Sequence, residues 1–389
     1  MAVSQAQTDA LIRVRRHLHR HPETSNREVA TSAYLFEQLT KMGLEPEYID
    51  PENKIGVFAD ITSGRPGPFI LYRADIDALP VREHTGLDFA SENEGVMHAC
   101  GHDLHMTLLL GTVRQLLDRK AEWRGTVRAV FQEGEENSTG ARKVIARGLL
   151  EGIDYALAVH TWPELPAGKI GMCRGPAMAS NTGIEIHVHG NGGHGAHPHR
   201  GIDPILAGAS IVTALQSITT RNLPPIESAV LTFGKFAAGT AENVIPDEAE
   251  LRGTFRCLSD EAYALLCERI PAVAKTQAET FGATADITLH RYTKVVYNDP
   301  AVFDILAASA RASIGDENFV LLPRPAMESE DFSLYLDACP GAVVRLGTAC
   351  DDKRSELPLH HREIIFAEAS IPTGVAFMTR AIINLSQAG

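Results

Sequence analysis

The sequence contains no apolar run long enough to cross a bilayer and no excess of positive charge. Its formal net charge is -13 at pH 7, which argues against a nucleic-acid partner because a polyanion is bound by basic patches. The first twenty residues become rich in arginine and histidine but lack the apolar core of a secretory signal. We therefore expect a cytoplasmic protein that binds neither nucleic acid nor membrane.

Closely paired cysteines are also missing. The six cysteines are Cys100, Cys173, Cys257, Cys267, Cys339 and Cys350. Their scattered positions argue against a disulfide framework and against a four-cysteine zinc site. We interpret five of them as buried thiols and set Cys100 apart because histidines surround it.

The length of 389 residues exceeds what one compact core accommodates, so two domains are expected. The first part of the chain alternates between helical and strand-like patterns. The patterned segments are a helix within 25–43, with apolar positions Val29, Ala33, Phe36 and Leu39, and strands at 69–72, 126–131 and 155–159. This alternation predicts an α/β domain with a largely parallel sheet flanked by helices.

From Asn181 the pattern changes to the apolar alternation of a smaller α+β domain, which contains a long helix at 203–219. Near residue 293 the chain returns to helices and short strands that complete the first domain. We therefore place one discontinuous domain at 1–180 and 294–389, and an inserted domain at 181–293.

Polar residues follow three of the predicted strands. Asp75 and Asp77 come after the first, the pair Glu135–Glu136 after the second, and His160 ends the third. The carboxyl ends of parallel strands carry the functional groups of such sheets, so we expect these residues to lie together.

The segment from Met97 to His105 contains the densest chemistry. Cys100 and His102 flank Gly101 directly before an apolar helical stretch, and a thiolate with an imidazole at this turn suits a cation. A capped helix with surface histidines explains the same pattern equally well.

Two adjacent glutamates favour the metal site. Neighbouring residues of an extended segment point to opposite sides, so one of Glu135 and Glu136 can bind metal while the other faces the attacking water. A solvated acidic turn is the alternative for this pair. His160 and His360 offer further imidazoles, although a lone histidine at a strand end is usually structural. A mixed set of cysteine, histidine and glutamate suits zinc, and manganese, cobalt or nickel can use the same ligands.

Taken together, these segments resemble the di-metal aminoacylase and carboxypeptidase family, in its branch of hippurate hydrolases and auxin-conjugate amidohydrolases. The resemblance covers nearly the whole chain in the same order. Its motifs are Arg16–His19 with Pro22–Glu23, Arg73–Pro80, Cys100–Asp103, Glu135–Glu136, His160, Gly192–Ala196, Asn243–Pro246, Ser329–Phe332 and Leu359–His360.

The resemblance implies a role for each matching residue. Two divalent metal ions are bound by Cys100, His102, Glu136, His160 and His360, and Glu135 is the general base. Asp75 and Asp103 are expected to hold the ligands in place through hydrogen bonds. The adjacent His361 leaves the last ligand ambiguous, and Arg73 stands where other branches have a metal-binding histidine.

In the inserted domain the resemblance implies that His194 reaches a neighbouring subunit's site and stabilises the oxyanion. Asn243 and Arg256 would contact the substrate, although a surface ion pair explains Arg256 almost as well. The insert is thus expected to be a dimerisation and lid domain of a homodimer or a higher homo-oligomer. Residues 190–195 formally match a dinucleotide motif, but the acidic residue about twenty positions later is missing.

The predicted activity is metal-dependent hydrolysis of the amide bond of N-acyl or N-aroyl amino acids or similar small amides. Peptides are an alternative substrate, which would make the protein a dipeptidase or a carboxypeptidase. A cysteine hydrolase that uses Cys100 with His102, a non-catalytic scaffold and a di-metal phosphatase are the remaining alternatives. The cysteine hydrolase leaves Glu135 and Glu136 without a purpose.

Overall fold

The computed structural model describes residues 3–388. In chain order its helices are α1 (Gln5–Arg20), α2 (Val29–Lys41), α3 (His102–Asp118), α4 (Gly140–Ala146), α5 (Pro204–Ser217), α6 (Asp260–Thr280), α7 (Pro300–Ile314) and α8 (Ser370–Leu385). Its strands are β1 (Glu47–Asp50), β2 (Ile55–Thr62), β3 (Phe69–Asp75), β4 (Thr126–Gln132), β5 (Tyr155–Pro166), β6 (Ile170–Met172), β7 (Gly175–Met178), β8 (Asn181–His189), β9 (Gly193–His194), β10 (Ala229–Ala238), β11 (Val244–Ile245), β12 (Glu248–Cys257), β13 (Thr284–Thr293), β14 (Val296–Asn298), β15 (Phe319–Leu321) and β16 (Gly341–Ala349). A 3-10 helix at Asp331–Asp337 also contributes to the site.

The described residues form two compact units. The first runs to Ala177 and resumes at Val296–Arg324 and from Asp331 onward. The second comprises Met178–Val295 and Pro325–Glu330. The short segment at 325–330 thus belongs to the second unit, a return of the chain that the sequence pattern does not indicate.

The first unit is built on an eight-stranded sheet with the order β1-β2-β4-β3-β5-β16-β6-β15. Its central strands β4, β3, β5 and β16 pair in parallel. Antiparallel pairs join β1 to β2, β2 to β4 and β6 to β16. The predicted fold class, a mixed α/β protein with a largely parallel central sheet, is confirmed.

Helix α3 lies at the centre of this unit. Its residues from His102 to Val113 are all buried, since the helix packs against β3 and β5 and against α1 and α8. A helix with apolar side chains around its whole circumference is stable only when it is enclosed in this way. This enclosure fixes the start of α3 beside the carboxyl ends of the central strands. Among the described residues, no helix has the length and apolar character needed to span a membrane.

The second unit has an antiparallel sheet with the order β10-β12-β8-β13, packed against α5 and α6. Alternate residues of β8 are buried, and Ile184, Ile186 and Val188 join the apolar core of this unit. The predicted alternation is therefore confirmed. A separate two-stranded ribbon of β9 and β11 carries the glycine-rich turn.

Several predictions of burial were wrong in detail. Helix α2 exists, but Val29 and Ala33 are exposed and the helix buries Thr31, Ser32, Leu35 and Leu39. Burying Ser32 is tolerated because its hydroxyl donates to the Glu28 carbonyl and accepts from the Gly56 N–H. Cys350 is exposed and Cys267 is only partly buried, so not all five remaining cysteines are buried thiols.

Candidate metal centre

Cys100 and His102 flank a tight turn at Gly101, where the chain enters α3 beside β5. Gly101 has a left-handed backbone (φ 80°) and precedes the first residue of α3. A β-carbon at this position would lie 2.7 Å from Oγ1 of Thr161, so only glycine fits both the conformation and the space. Thr161 itself donates from Oγ1 to the Cys100 carbonyl at 2.8 Å. The turn is thus held against β5.

Cys100, His102 and His160 form the first candidate ligand group. Their potential ligand atoms lie within 4.8 Å of one another, and all three residues are buried. His160 donates from Nδ1 to the Thr161 carbonyl at 2.8 Å, which directs its Nε2 toward the Cys100 sulfur, 3.6 Å away. His102 donates from Nδ1 to the Asp77 carbonyl at 2.8 Å. The backbone therefore fixes the orientation of both imidazoles.

A second group of three contains Cys100, Glu136 and His360, again within 4.8 Å of one another. Oε1 of Glu136 lies 3.8 Å from Nε2 of His102 and 3.5 Å from Nε2 of His360. His360 has a left-handed backbone (φ 69°), and its N–H donates to the Ala99 carbonyl at 3.0 Å. Cys100 belongs to both groups, so the two groups adjoin.

The ambiguity between His360 and His361 has a geometric answer. His361 uses Nδ1 to accept the N–H of Glu363 at 3.1 Å and belongs to no candidate ligand group of the described residues. His360 is the imidazole that lies beside Glu136.

Glu135 lies with His102 and Glu136 in a third group and is 8% exposed. The two adjacent carboxylates thus lie beside the same imidazole. The alternative of a solvated acidic turn does not fit these positions, because a solvated turn would leave both carboxylates in water.

Two buried polar atoms of the centre lack a hydrogen-bond partner among the described residues. They are Nε2 of His102 and Oε1 of Glu136. Burying such an atom without a partner costs about 1–3 kcal/mol, so their orientation toward each other and Cys100 indicates a ligand that both can bind. A divalent cation accepts an imidazole nitrogen, a carboxylate oxygen and a thiolate together. The donor set therefore fits a metal ion.

The electrostatics of the centre agree with this fit. Burial lowers the pKa of a histidine, yet Asp75, Asp77 and Glu136 outweigh it and raise the pKa of His102 to about 10. Burial raises the pKa of Glu136 to about 7. Negative charge is in excess around these two side chains, and a divalent cation would balance it.

The two aspartates predicted to support the ligands have different surroundings. Asp75 accepts from Nδ1 of His105 at 2.6 Å and from Arg73 at 2.7 Å, and its Oδ2 lies 3.6 Å from Nε2 of His102. Asp103 accepts from Arg15 at 2.7 Å and from His19 at 2.9 Å, so it ties the start of α3 to α1. These contacts hold the pKa of Asp103 far below its usual range, although burial opposes the shift.

Sequence reasoning missed His105 and Thr161. His105 accepts the Thr161 N–H on Nε2 at 2.8 Å, so its proton is on Nδ1, which donates to Asp75. The two hydrogen bonds of His105, to Asp75 and to the Thr161 N–H, fix the position of the peptide bond that follows His160. The spacing of His102 and His105 places both on one helix face and is the signal that could have identified His105. His19 of α1 is also buried, with its Nδ1 donating to Asp103.

The predicted residues His194 and Asn243 lie together in the second unit. Strand β9 pairs His194 with Val244, and the Gly195 N–H donates to the Asn243 carbonyl at 2.8 Å. His194 accepts the Ala196 N–H on Nδ1 at 3.1 Å, so the proton of its neutral ring is on Nε2. The exposed ring therefore presents a hydrogen-bond donor outward.

Arg256 lies on β12 of the same unit and is half-buried. Its Nη1 donates to the Met327 carbonyl at 3.0 Å and to Oγ of Ser329 at 3.3 Å. Burial lowers its pKa. The surface ion pair considered for Arg256 is not what holds it, because its contacts are to a carbonyl and a hydroxyl.

Comparisons with known proteins identify a family for the chain. Residues 71–384 match the model of peptidase family M20/M25/M40. An N-acetylcysteine deacetylase of Bacillus subtilis is 42% identical over 342 residues, covering 87% of this chain and 88% of that protein. Thermostable carboxypeptidase 1 of Saccharolobus solfataricus is 34% identical over 376 residues, covering 94% and 93%.

Among solved structures, a Bacillus subtilis protein described as a dinuclear metal binding peptidase from the M20 family has a TM-score of 0.87 and 35% identity, with 100% of both chains covered. The chain belongs to peptidase family M20/M25/M40. Family membership confirms the predicted resemblance and, with it, the predicted class of metal-dependent amide hydrolase.

Proposed function

We propose that this chain hydrolyses the amide bond of N-acyl amino acids with two divalent cations held by Cys100, His102, Glu136, His160 and His360. The observation that carries the proposal is the convergence of these five side chains, which lie in two adjoining groups that share Cys100. The unpartnered atoms of His102 and Glu136 within this set support it.

The cations and the protein side chains have separate tasks. When bound, the cations supply Lewis acidity that lowers the pKa of a water molecule and polarises the amide carbonyl. Glu135 takes a proton from the attacking water as the new C–O bond forms. It then gives this proton to the departing nitrogen as the C–N bond breaks. His194 of the partner subunit donates from Nε2 to the oxyanion that develops on the carbonyl oxygen.

A thiolate in the ligand set favours zinc, because zinc binds sulfur and nitrogen ligands readily. Manganese, cobalt and nickel remain alternatives with the same donors. Comparing the turnover of enzyme reconstituted with each metal identifies the preferred ion.

The acyl amino acid is favoured over a peptide because N-acetylcysteine is the substrate in the name of one relative. The carboxypeptidase alternative rests on another relative, the thermostable carboxypeptidase. Both substrates present a carboxylate, which we assign to Arg256 and Asn243. Measuring kcat/KM for acetyl, benzoyl and long-chain acyl amino acids beside matched dipeptides tests the proposal. A higher kcat/KM for dipeptides than for every acyl amino acid would contradict it.

A homodimer with a cytoplasmic location completes the proposal. The second unit exposes several large apolar side chains on α5 and on nearby strands, which supports its role in dimerisation. These are Ile205, Leu206, Phe236 and Val244. The oligomeric state is measured directly by light scattering during size-exclusion chromatography.

The thiol of Cys100 should resist alkylation in the metal-loaded enzyme and react once a chelator removes the metal. A metal-bound thiolate is protected from electrophiles, and this protection ends when the ligand is released. Peptide mass spectrometry after iodoacetamide treatment measures labelling at each cysteine.

Two other cysteines are internal controls. The exposed Cys350 should be labelled in both forms. Cys339, which is as buried as Cys100 at 6% exposure, should be labelled in neither, because metal removal does not open the core. Equal labelling of Cys100 with and without metal would contradict its role as a ligand. Measuring hydrolysis in the chelator-treated sample also tests the cysteine-hydrolase alternative, because the activity of such an enzyme would survive removal of the metal.

A further inference from the structure

A fully buried polar network adjoins the metal centre without supplying any of its proposed ligands. It consists of five side chains, each at most 1% exposed, which we call the Arg73 network. Its members are Arg73, Asp75, Gln132, Asp331 and Tyr335. Side chains of this polarity are costly to bury, so their complete enclosure requires well-formed hydrogen bonds.

Arg73 is the centre of this network. Its Nη1 donates to Asp75 at 2.7 Å and its Nη2 donates to Asp331 at 2.8 Å. Its Nε donates to Oε1 of Gln132 at 3.1 Å. One planar guanidinium thus spans two carboxylates and an amide, which the single ammonium group of a lysine cannot do in the same geometry.

Asp331 clamps the two ends of the segment that carries Glu135. Its carboxylate accepts from Nε2 of Gln132, at 2.9 Å to Oδ2, where β4 ends. It also accepts the N–H of Ala141 at 3.0 Å, where α4 has begun. The N–H of Asp331 itself donates to Oε1 of Glu135 at 3.4 Å.

Tyr335 completes the clamp from the same 3-10 helix as Asp331. Its hydroxyl donates to Oε1 of Gln132 at 2.7 Å. The amide of Gln132 therefore accepts on its oxygen and donates from its nitrogen, and both ends of this amide are fixed. Any change in the backbone conformation at the end of β4 would therefore break several buried hydrogen bonds of Gln132.

We propose that Arg73 and Asp331 are positioning residues that hold Glu135 in the orientation required for proton transfer. This inference rests on the proposed role of Glu135 as general base. Arg73 balances the buried charge of Asp331 and fixes its carboxylate. Asp331 then fixes the segment between Gln132 and Ala141 and contacts Glu135 through its N–H.

A positioning role differs from a purely structural one in its dependence on Glu135. If Arg73 acts through Glu135, replacing Arg73 has no further effect on turnover once Glu135 has been removed. If Arg73 only supports the fold, its replacement lowers turnover by the same factor in either background. A double-mutant cycle separates these two cases.

The experiment compares Arg73→Lys and Asp331→Asn, each alone and combined with Glu135→Gln. The single variants should lower kcat by about 10- to 100-fold, the scale expected for a misplaced catalytic group, with KM and metal content close to wild type. Neither should lower kcat further when Glu135→Gln is present. Arg128→Lys is the control, since Arg128 also makes three hydrogen bonds on a neighbouring strand but contacts Asp60 and Leu149.

The possible outcomes are distinct. Wild-type kcat in both single variants, or an equal fold-loss with and without Glu135, overturns the inference alone. Wild-type kcat in Glu135→Gln itself overturns the proposed role of Glu135 as well. If both variants misfold, Tyr335→Phe, which deletes one hydrogen bond of the network, replaces them in the cycle. A lower kcat that depends on Glu135 supports the inference, and any other result contradicts it.

Discussion

Replacing Glu135 with glutamine should lower kcat by about 100- to 10,000-fold, the usual contribution of general acid–base catalysis, while two metal ions stay bound. Glutamine keeps the size of the side chain but cannot take a proton from water. The neighbouring ligand Glu136 is unchanged, so metal affinity is retained. Steady-state kinetics together with elemental analysis of the purified variant measure both quantities.

Glu133→Gln is a matched control for this variant. Glu133 is a buried carboxyl on the same segment, but it lies beside Gly56 and 3.4 Å from Nζ of Lys143. Burial raises its pKa to about 7, so glutamine resembles its protonated form. The kcat of the Glu133→Gln enzyme should stay within a few-fold of the wild-type value. A Glu135→Gln enzyme as fast as this control would mean that another group moves the proton.

Replacing His194 with alanine should lower kcat by about 100- to 1,000-fold, the loss typical of removing one oxyanion donor, with unchanged metal content. The donor is Nε2, because Nδ1 accepts the Ala196 N–H. His290→Ala is the control, since His290 is another exposed histidine of the second unit, half-exposed on β13. A comparable loss in the control would indicate a general effect on this unit.

The proposed sharing of His194 between subunits has its own test. Mixing inactive His194→Ala and Glu135→Ala subunits should restore about one quarter of wild-type activity, because half of the dimers are mixed and one of two sites in each is complete. Exchange of subunits is verified with differently tagged chains. No recovery after verified exchange would mean that His194 does not act across the dimer.

The position of the metal centre at the carboxyl ends of the parallel strands could be predicted, because local sequence patterns determine where these strands end. The apolar strands β3 and β4 are followed by Asp77 and by Glu135 and Glu136, and parallel pairing brings strand ends together. His160 was expected at the end of β5, but that strand continues to Pro166. His160 still lies just beyond Ala158, the last residue paired with β3.

Contacts between distant parts of the chain could not be predicted from these patterns. Asp331 bonds Arg73 across 258 positions and Gln132 across 199. Strand β16 enters the sheet between β5 and β6, which are separated by only three residues. Such pairings depend on packing that no local period encodes, and so the Arg73 network becomes visible only in the folded chain.

The central claim is that two cations, held by Cys100, His102, Glu136, His160 and His360, are required for amide hydrolysis. Titrating the metal-free enzyme with zinc, while recording bound metal and hydrolysis of N-acetyl amino acids, tests it most directly. Activity should be negligible without metal and should reach its maximum at two bound ions per subunit. Full activity in the metal-free enzyme, or a maximum with one ion bound, would contradict the claim.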